Sequence, residues 1–219
     1  MKKKIVIIGS LGSDLLKKIL KYSFVKNQIY ECVSDRSGNF AKFAKTKIDT
    51  TILYSKNGKD FSKKLYNRYG NNFIFLSFYT KLFSGIFLNK NKKKILNLHN
   101  TLLPSFPGMQ GTKNNISSKY LFGGVTLHYI DKFIDNGEPL FQAAINFNKN
   151  KGFKVNRHKI FMAQYYLILN FFYLLYKNKI QIKNNQIYIK NLKYNFSHFS
   201  PNLEKDLFKF LNVKNFFKI

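Results

Sequence analysis

Residues 92–112 read KKKILNLHNTLLPSFPGMQGT, and they predict a buried strand that ends in polar side chains. The strand is expected over residues 94–98, where apolar residues follow a run of lysines. Asn97 and His99 alternate with Leu98, so both polar side chains should lie on one face at the carboxyl end of the strand. An amide beside an imidazole at the edge of a sheet indicates an acyl-transfer site. The same pair is also typical of two polar groups that only satisfy each other.

The rest of the chain alternates between apolar runs and segments with helical periodicity. This alternation predicts an α/β protein with a doubly wound, mostly parallel sheet of about seven strands, whose ligands gather outside the carboxyl ends of the strands. The main strands are expected over residues 4–8, 29–34, 50–53, 73–76, 94–98 and 125–130, and helices over residues 14–22, 37–45, 61–69, 111–120 and 152–177. Two short strands at 180–182 and 186–189, joined by Asn184 and Asn185, and a helix near 203–211 complete the prediction.

The turn after the first expected strand reads GSLGS over residues 9–13 and leads into a helix. Free backbone N–H groups at the start of a helix attract anions, so this turn is a candidate phosphate site. The pattern is not the glycine-rich dinucleotide motif, and a plain tight turn explains it equally well.

The composition excludes several classes of protein. The chain has 219 residues, 45% of them hydrophobic, which is enough for one globular domain with a full core. Cys32 is the single cysteine, so no internal disulfide forms, and we expect a reducing cytoplasm. The opening apolar run is too short for a signal peptide, and the run at 161–176 contains Gln164 and Asn170 and is too polar for a membrane span.

The net charge of +28 raises the question of a nucleic-acid partner. The positive charge comes mostly from lysines spread along the chain, together with many Asn, Ile, Phe and Tyr residues. A+T-rich codons would produce this mixture. We therefore interpret the charge as compositional drift and do not expect nucleic acid as the partner, while an RNA-binding protein stays open as an alternative.

Two strings resemble a known family. NLHNTLLPSFPGM, from Asn97, resembles the signature of the folate-dependent formyltransferases, which runs Asn-x-His-x-Ser-Leu-Leu-Pro and continues into a Pro-Gly turn. GGVTLHYIDKFIDNGEPLFQ, from Gly123, resembles a second motif of that family, a strand containing a histidine followed by a loop that ends in an aspartate, here Asp135. Within the family, the chain is most similar to the glycinamide ribonucleotide formyltransferases of purine synthesis.

The resemblance implies a Rossmann-like formyltransferase fold over residues 1–190, followed by a Lys- and Phe-rich tail over 191–219 that has no family counterpart. It implies 10-formyltetrahydrofolate as co-substrate, no metal, a small phosphate-bearing amine as acceptor, and a monomer or homodimer. The expected reaction is formyl transfer to glycinamide ribonucleotide. A nucleotide-linked amino sugar as acceptor, or a degenerate RNA-binding relative, are the alternatives.

The resemblance also assigns roles to individual residues. Asn97 and His99 would donate hydrogen bonds to the formyl oxygen, while Asp135 would orient His99 and favour its cationic form. The other expected site residues are Gly12, Ser13 and Asp14 for the substrate phosphate, Lys81, Leu82 and Phe83 for the folate, and Gln164 as a substrate contact. Without the resemblance, Asp135 reads as a turn residue in Asp-Asn-Gly and His128 as a core histidine.

The chain departs from the family pattern at several positions, and Lys81, for example, takes a basic position that is commonly Arg. Asp14 stands where the family has Asn, Gln164 where the glycinamide ribonucleotide enzymes have Glu, and Glu138 where Pro is usual. The departures at Asp14 and Gln164 touch the expected amine substrate, so they leave room for a different acceptor.

Overall fold

The apolar runs of the sequence form the strands of a central sheet. A computed structural model describes residues 4–183, 186–194 and 198–211. The strands are β1 (Ile5–Gly9), β2 (Ile29–Ser34), β3 (Thr50–Ile52), β4 (Ile74–Phe78), β5 (Ile95–His99), β6 (Phe122–Tyr129), β7 (Pro139–Asn146), β8 (Ile180–Lys183), β9 (Gln186–Ile189) and β10 (Phe199–Ser200). The helices are α1 (Asp14–Ile19), α2 (Ser23–Lys26), α3 (Asn39–Lys45), α4 (Gly58–Tyr69), α5 (Gly85–Lys90), α6 (Gly111–Ser117), α7 (Gly152–Tyr176) and α8 (Lys205–Phe210), with a 3₁₀ turn at Lys149–Lys151.

The main sheet has eight strands in the order β10-β7-β6-β5-β4-β1-β2-β3. Strands β3, β2, β1, β4 and β5 run parallel to one another. Strands β6, β7 and β10 extend the sheet in antiparallel fashion beyond β5. The prediction of a mostly parallel, doubly wound α/β sheet is confirmed. Because β6 runs antiparallel to β5, the loop after β6 starts beside the amino end of β5, where the Ile130 N–H donates to the Ile95 carbonyl oxygen at 2.8 Å.

Helices cover the sheet on both faces, which explains why its central strands are continuously apolar. All five residues of β1 are buried, as expected for a parallel strand packed on two sides. One core lies between the sheet and α1, α3 and α7, and the other lies between the sheet and α4 and α5. Cys32 lies in β2 and is fully buried, as the sequence predicted, and burial raises the pKa of its thiol to about 12.

Helix α7 is buried on more sides than a single apolar stripe requires. The stripe of Tyr165, Ile168, Phe172 and Leu175 is buried, but Ile160, Ala163, Leu167, Phe171 and Leu174 are buried as well, whereas Phe161 is only partly buried. The second face is covered by later parts of the chain. Leu203 and Leu207 belong to the same core, and the Asn170 side chain donates to the Asn202 carbonyl (3.1 Å).

Several predicted boundaries are wrong. The helix expected over 14–22 ends at Ile19, because Tyr22 is extended and a separate short helix, α2, begins at Ser23. The helix expected from residue 61 begins at Gly58, because the Asn57 side chain accepts the backbone N–H of Asp60 and caps it.

Two further differences concern the elements around β5. The helix expected over 111–120 ends at Ser117, because Ser118 is extended. The strand expected over 125–130 spans Phe122–Tyr129, and α5, β7 and β10 were not predicted. Because β7 and β10 join the main sheet, it has eight strands where about seven were expected.

The end of the chain is only partly described. Asn184 and Asn185, which were expected to join β8 and β9, lie outside the described residues, as do 195–197 and 212–219. Within the described part of the tail, β10 pairs with β7 through Phe199 and Ala143, and α8 falls in the predicted helical segment. The division at residue 190 remains a prediction.

Candidate active site

Strand β5 presents Asn97 and His99 at its carboxyl end, and β6 presents His128 beside them. In the pairing of β5 with β6, Asn97 lies opposite His128, so these side chains share a face of the sheet. The Nδ2 atom of Asn97 lies 3.3 Å from Nε2 of His128. The other ring nitrogen of His128, Nδ1, lies 2.9 Å from the Tyr129 carbonyl oxygen. A carbonyl can only accept, so Nδ1 of His128 carries a proton and Nε2 faces the site.

Asp135 approaches from the loop between β6 and β7. Its Oδ2 atom lies 3.2 Å from Nδ1 of His99 and accepts the backbone N–H of Gly108 at 2.8 Å. Its Oδ1 atom lies 3.5 Å from Nε2 of His128. The backbone of Asp135 has a φ of 49°, a conformation that Asp and Asn tolerate better than most residues. Asp135 is thus a turn residue whose carboxylate also meets both histidines.

The electrostatic setting keeps Asp135 ionised. Burial alone would raise the pKa of its carboxyl, but the nearby ring of His128, the N–H of Gly108 and the positive charge of His99 outweigh burial and lower the pKa below the ordinary value of 3.8. An ionised carboxylate in this position is a fixed negative charge next to His99.

Both ring nitrogens of His99 face hydrogen-bond acceptors. Nδ1 faces Asp135, and Nε2 lies 3.0 Å from the Phe106 carbonyl oxygen. A neutral imidazole has a single N–H and can satisfy only one of these contacts, whereas the imidazolium satisfies both. The arrangement therefore fits a cationic His99 beside the amide of Asn97.

These groups line a cavity of about 530 Å³, a volume typical of small-molecule sites. One part of its wall comes from the turn after β1 and from α6 and α7, and another part comes from the loops after β4 and β6. Of the residues predicted from sequence, the cavity wall contains Gly12, Asp14, Lys81, Leu82, Phe83, Asn97, His99, Asp135 and Gln164. Ser13 is buried behind this wall.

The predicted phosphate turn differs from a simple anion site. Asp14 is the first residue of α1, a helix of only six residues, and its side chain is 83% exposed. Its carboxylate lies 3.7 Å from the Lys17 ammonium group, and no side-chain hydrogen bond caps the helix at Ser13. Asp14 therefore places a solvated carboxylate, partly balanced by Lys17, in the cavity wall.

The predicted folate residues have three different environments. The Lys81 ammonium group lies 3.1 Å from the buried carboxylate of Asp35. Leu82 is 65% exposed, whereas Phe83 is buried and stacks on Tyr79. Only Lys81 and Leu82 thus have substantial solvent-accessible surface to offer a ligand.

Asp35 holds the Lys81 side chain in a cluster of polar contacts. Its carboxylate accepts hydrogen bonds from the Ser10 hydroxyl (2.9 Å) and from two nitrogens of Arg36 (3.0 and 2.6 Å), besides the contact with Lys81. Burial raises its pKa, but these donors outweigh burial and lower the pKa overall. The cluster ties the ends of β1 and β2 to the loop after β4.

Two site residues were missed or undervalued by sequence reasoning. His128 was interpreted as a core histidine, yet it contacts both Asn97 and Asp135. The register between β5 and β6 would have revealed this contact, but it is not readable from the sequence. Asn100 lines the cavity beside His99 and accepts a hydrogen bond from the Gln164 amide; no pattern in the sequence singled it out.

Neither a metal site nor a membrane span occurs in the part of the chain that the structure describes. No group of three His, Cys, Asp or Glu side chains there could hold a metal ion. No helix among the same residues is long and apolar enough to cross a membrane.

An α/β sheet with an amide, two imidazoles and a carboxylate converging at its carboxyl edge has the features of a group-transfer protein acting on a carbonyl carbon. Residues 3–153 match the formyl transferase family, and the chain belongs to that family.

Individual relatives support this assignment. A trifunctional purine biosynthetic protein adenosine-3 of Chironomus tentans is 26% identical over 172 residues, which cover 73% of this chain and 12% of that protein. A phosphoribosylglycinamide formyltransferase of Bacillus subtilis is 32% identical over 77 residues, 35% of this chain and 40% of that protein. The chain therefore spans much less than two thirds of these relatives.

The fold is also that of solved structures. The crystal structure of glycinamide ribonucleotide transformylase 1 from Symbiobacterium toebii superimposes with a TM-score of 0.71 at 20% identity, covering 85% of this chain and 93% of that chain. At 20% sequence identity, this similarity is evidence for the fold alone.

Proposed function

We propose that this protein transfers the formyl group of 10-formyltetrahydrofolate to the amine of glycinamide ribonucleotide, a step of de novo purine biosynthesis. The observation that carries the proposal is the convergence of Asn97, His99 and Asp135 in one cavity of a formyl transferase family member. Relatives that are named for this reaction or for purine synthesis support the choice of acceptor.

The side chains suit the charge that develops during transfer. When an amine attacks a formyl carbon, a C–N bond forms and the formyl oxygen becomes negative. The Asn97 amide has a second N–H beyond the one directed at His128, and it can donate that hydrogen to the oxygen. A cationic His99 adds positive charge next to the same oxygen. A single oxyanion donor of this kind typically lowers the barrier by about 3 kcal/mol.

The proton of the amine also needs an acceptor. As the new bond forms, the amine becomes acidic and loses a proton. When the bond between the formyl carbon and the donor nitrogen then breaks, the donor nitrogen takes up a proton and leaves as the amine of tetrahydrofolate, so the proton lost by one amine is gained by the other. The Asp135 carboxylate can take the amine proton through a water molecule, while its other contacts hold His99 in place. This step uses the carboxylate that the surrounding donors keep ionised.

The cavity wall fits a folate as co-substrate, which supplies the formyl group. Leu82, Phe133 and Ile134 line the cavity and are 65%, 59% and 57% exposed. Exposed apolar residues around a polar cleft are typical of sites that bind a flat ring system. Lys81, held by Asp35, provides a positive charge for an anionic part of the co-substrate.

The part of the cavity that is expected to bind the amine substrate favours one alternative acceptor. Glycinamide ribonucleotide carries a phosphate, and the exposed carboxylate of Asp14 in the cavity wall would repel it. Gln164 offers a neutral amide instead of a carboxylate on the opposing helix α7. An amino sugar linked to a nucleotide, whose phosphates need not lie at the turn before α1, is therefore the second candidate acceptor.

We further propose that the protein is active as a monomer or a homodimer, since Asn97, His99 and Asp135 already meet within a single chain. We propose a cytoplasmic location, which suits the free, buried thiol of Cys32. We also propose that the charge of +28 does not serve nucleic-acid binding.

One experiment tests the proposed reaction and the proposed acceptor together. Purified protein is incubated with 10-formyltetrahydrofolate and a panel of amines, and mass spectrometry detects the gain of a formyl group. The panel contains glycinamide ribonucleotide, nucleotide-linked amino sugars and initiator methionyl-tRNA, with His99→Ala as the inactive control. Formylation of glycinamide ribonucleotide is expected. Formylation of an amino sugar alone would show that the proposed acceptor is wrong. Release of free formate without an acceptor would show that the proposed reaction is wrong.

A further inference from the structure

We propose that Asn100 is a positioning residue, which fixes the Gln164 side chain and thereby sets the affinity for the amine substrate. This inference rests on the proposed function, since it concerns the acceptor end of the same cavity. Asn100 occupies a variable position of the family motif, and it takes no part in the chemistry of the formyl transfer.

Asn100 stands at the point where the catalytic strand meets helices α6 and α7. It directly follows His99, the last residue of β5. Its side-chain oxygen accepts a hydrogen bond from Nε2 of Gln164 on α7, and its side-chain nitrogen donates to the Thr112 hydroxyl on α6 at 2.8 Å. Both functional atoms of the Asn100 amide are therefore engaged, one with each helix.

The backbone of Asn100 is held in the same way. The buried side chain of Asn115, also on α6, donates to the Asn100 carbonyl oxygen at 3.2 Å. With its backbone anchored and its amide engaged at both ends, Asn100 has little freedom to rotate. It can therefore act as a rigid support for a longer side chain.

Gln164 is the side chain that needs such a support. It lines the cavity and is only partly buried, and its flexible chain loses rotamer freedom whenever it is ordered. The hydrogen bond to Asn100 uses its amide nitrogen, and within residues 4–183, 186–194 and 198–211 no hydrogen bond reaches its Oε1 atom. Asn100 thus orders Gln164 before the substrate arrives and leaves one acceptor oxygen available to it.

A pre-ordered contact strengthens binding because the substrate does not have to order the side chain itself. Gln164 and Thr112 line the same cavity as Gly12 and Asp14, and the family resemblance assigns Gly12, Asp14 and Gln164 to the amine substrate. Loss of Asn100 should therefore weaken binding of the amine substrate and should not affect the chemical step or the formyl donor.

The test is a set of steady-state measurements on the full chain. Asn100→Ala should raise the KM for the amine substrate by about tenfold, which combines one net hydrogen bond with the ordering of one side chain. The kcat and the KM for the formyl donor should stay within about twofold of wild type. Gln164→Ala should have the same effect, and the double variant should show no further rise, because Asn100 acts through Gln164.

A conservative pair and a matched control distinguish positioning from a loss of structure. Thr112→Ser keeps the hydroxyl that Asn100 uses and should behave like wild type, whereas Thr112→Val removes it and should raise the same KM. Asn114→Ala changes an exposed residue of the same helix and should leave the KM unchanged. Melting temperatures by circular dichroism verify that each variant is folded.

The outcomes separate this inference from the proposed function. If wild type formylates glycinamide ribonucleotide but Asn100→Ala leaves its KM unchanged, or if the two alanine effects add, the inference is wrong and the function stands. If wild type formylates another amine instead, the proposed acceptor is wrong, and the same variants assayed with that amine decide on Asn100. A fall in kcat for Asn100→Ala with an unchanged KM would assign it to the chemistry of His99 and would also overturn the inference.

Discussion

The carboxylate of Asp135 gives the sharpest test of the proposed reaction, because Asp135→Asn removes its charge and keeps its shape. The amide oxygen can take the place of Oδ2 and accept from Gly108 N–H and from His99. The amide nitrogen then faces Nε2 of His128, whose one lone pair it would share with the Asn97 amide. The variant should therefore fold, and its melting temperature should stay close to that of wild type.

The magnitude follows from the distance between the charges. The Asp135 carboxylate lies 3.2 Å from the His99 ring, and two unit charges about 4 Å apart interact by about 4 kcal/mol at an effective dielectric constant of about 20. The site opens into the cavity, so water weakens this interaction. A loss of about 3 kcal/mol of transition-state stabilisation, or about a hundredfold in kcat, is the expected result.

The assay measures formyl transfer at saturating substrates, together with thermal unfolding as a function of pH. The folded-state pKa of Asp135 is lowered from 3.8, so its stabilising contribution is complete above that pH and is lost as the pH falls through the folded-state pKa. Wild type should therefore lose more stability on acidification than Asp135→Asn does.

Glu138→Gln is the matched control for Asp135→Asn. It removes a carboxylate three positions away that is exposed and lies 3.6 Å from the Lys93 ammonium group. This control should retain wild-type kcat. Near-normal activity of folded Asp135→Asn would refute the role of the carboxylate, and an equal loss in Glu138→Gln would show that the loss does not depend on the contact between Asp135 and His99.

Three further predictions concern the same site and the charge of the chain. His99→Ala should lower the transfer rate by about a hundredfold or more with folding intact, and Asp135→Asn added to it should cause little further loss in a double-mutant cycle. An additive loss would contradict a shared role. His128→Ala should lower kcat by about tenfold, because His128 contacts Asn97 and Asp135. It should also lower the melting temperature, because His128 is buried. Unchanged kinetics would show that His128 is only a core residue. RNA should bind weakly, without sequence preference and with a steep loss at higher salt, whereas nanomolar affinity for one RNA at about 150 mM salt in a filter-binding assay would contradict compositional drift.

The sequence predicted best those features that depend on local pattern. A continuous apolar run such as β1 is readable because a parallel strand buried on both faces needs no alternation. The shared face of Asn97 and His99 follows from the period of a strand. The closeness of Asp135 to His99 was expected only through the family resemblance, because a loop residue has no periodicity.

The missed elements have physical explanations. Strand β7 reads PLFQAAIN, and its proline and two alanines have low strand propensity; pairing with β6 on one side and β10 on the other compensates for this. Helix α5 begins with Gly85, which has a φ of 63°, and its short apolar run has no helical period. Contacts such as His128 with Asp135 depend on register and loop path, which a single sequence does not determine.

The burial of α7 has a consequence for synthesis of the protein. Part of this helix is covered by Leu203 and Leu207, and β10 completes the sheet beside β7. A ribosome makes α7 well before it makes these residues, so a nascent chain that has just released α7 exposes a wide apolar surface. During that interval the chain should bind chaperones that recognise apolar segments, and slow emergence of residues 199–211 from the ribosome should favour aggregation.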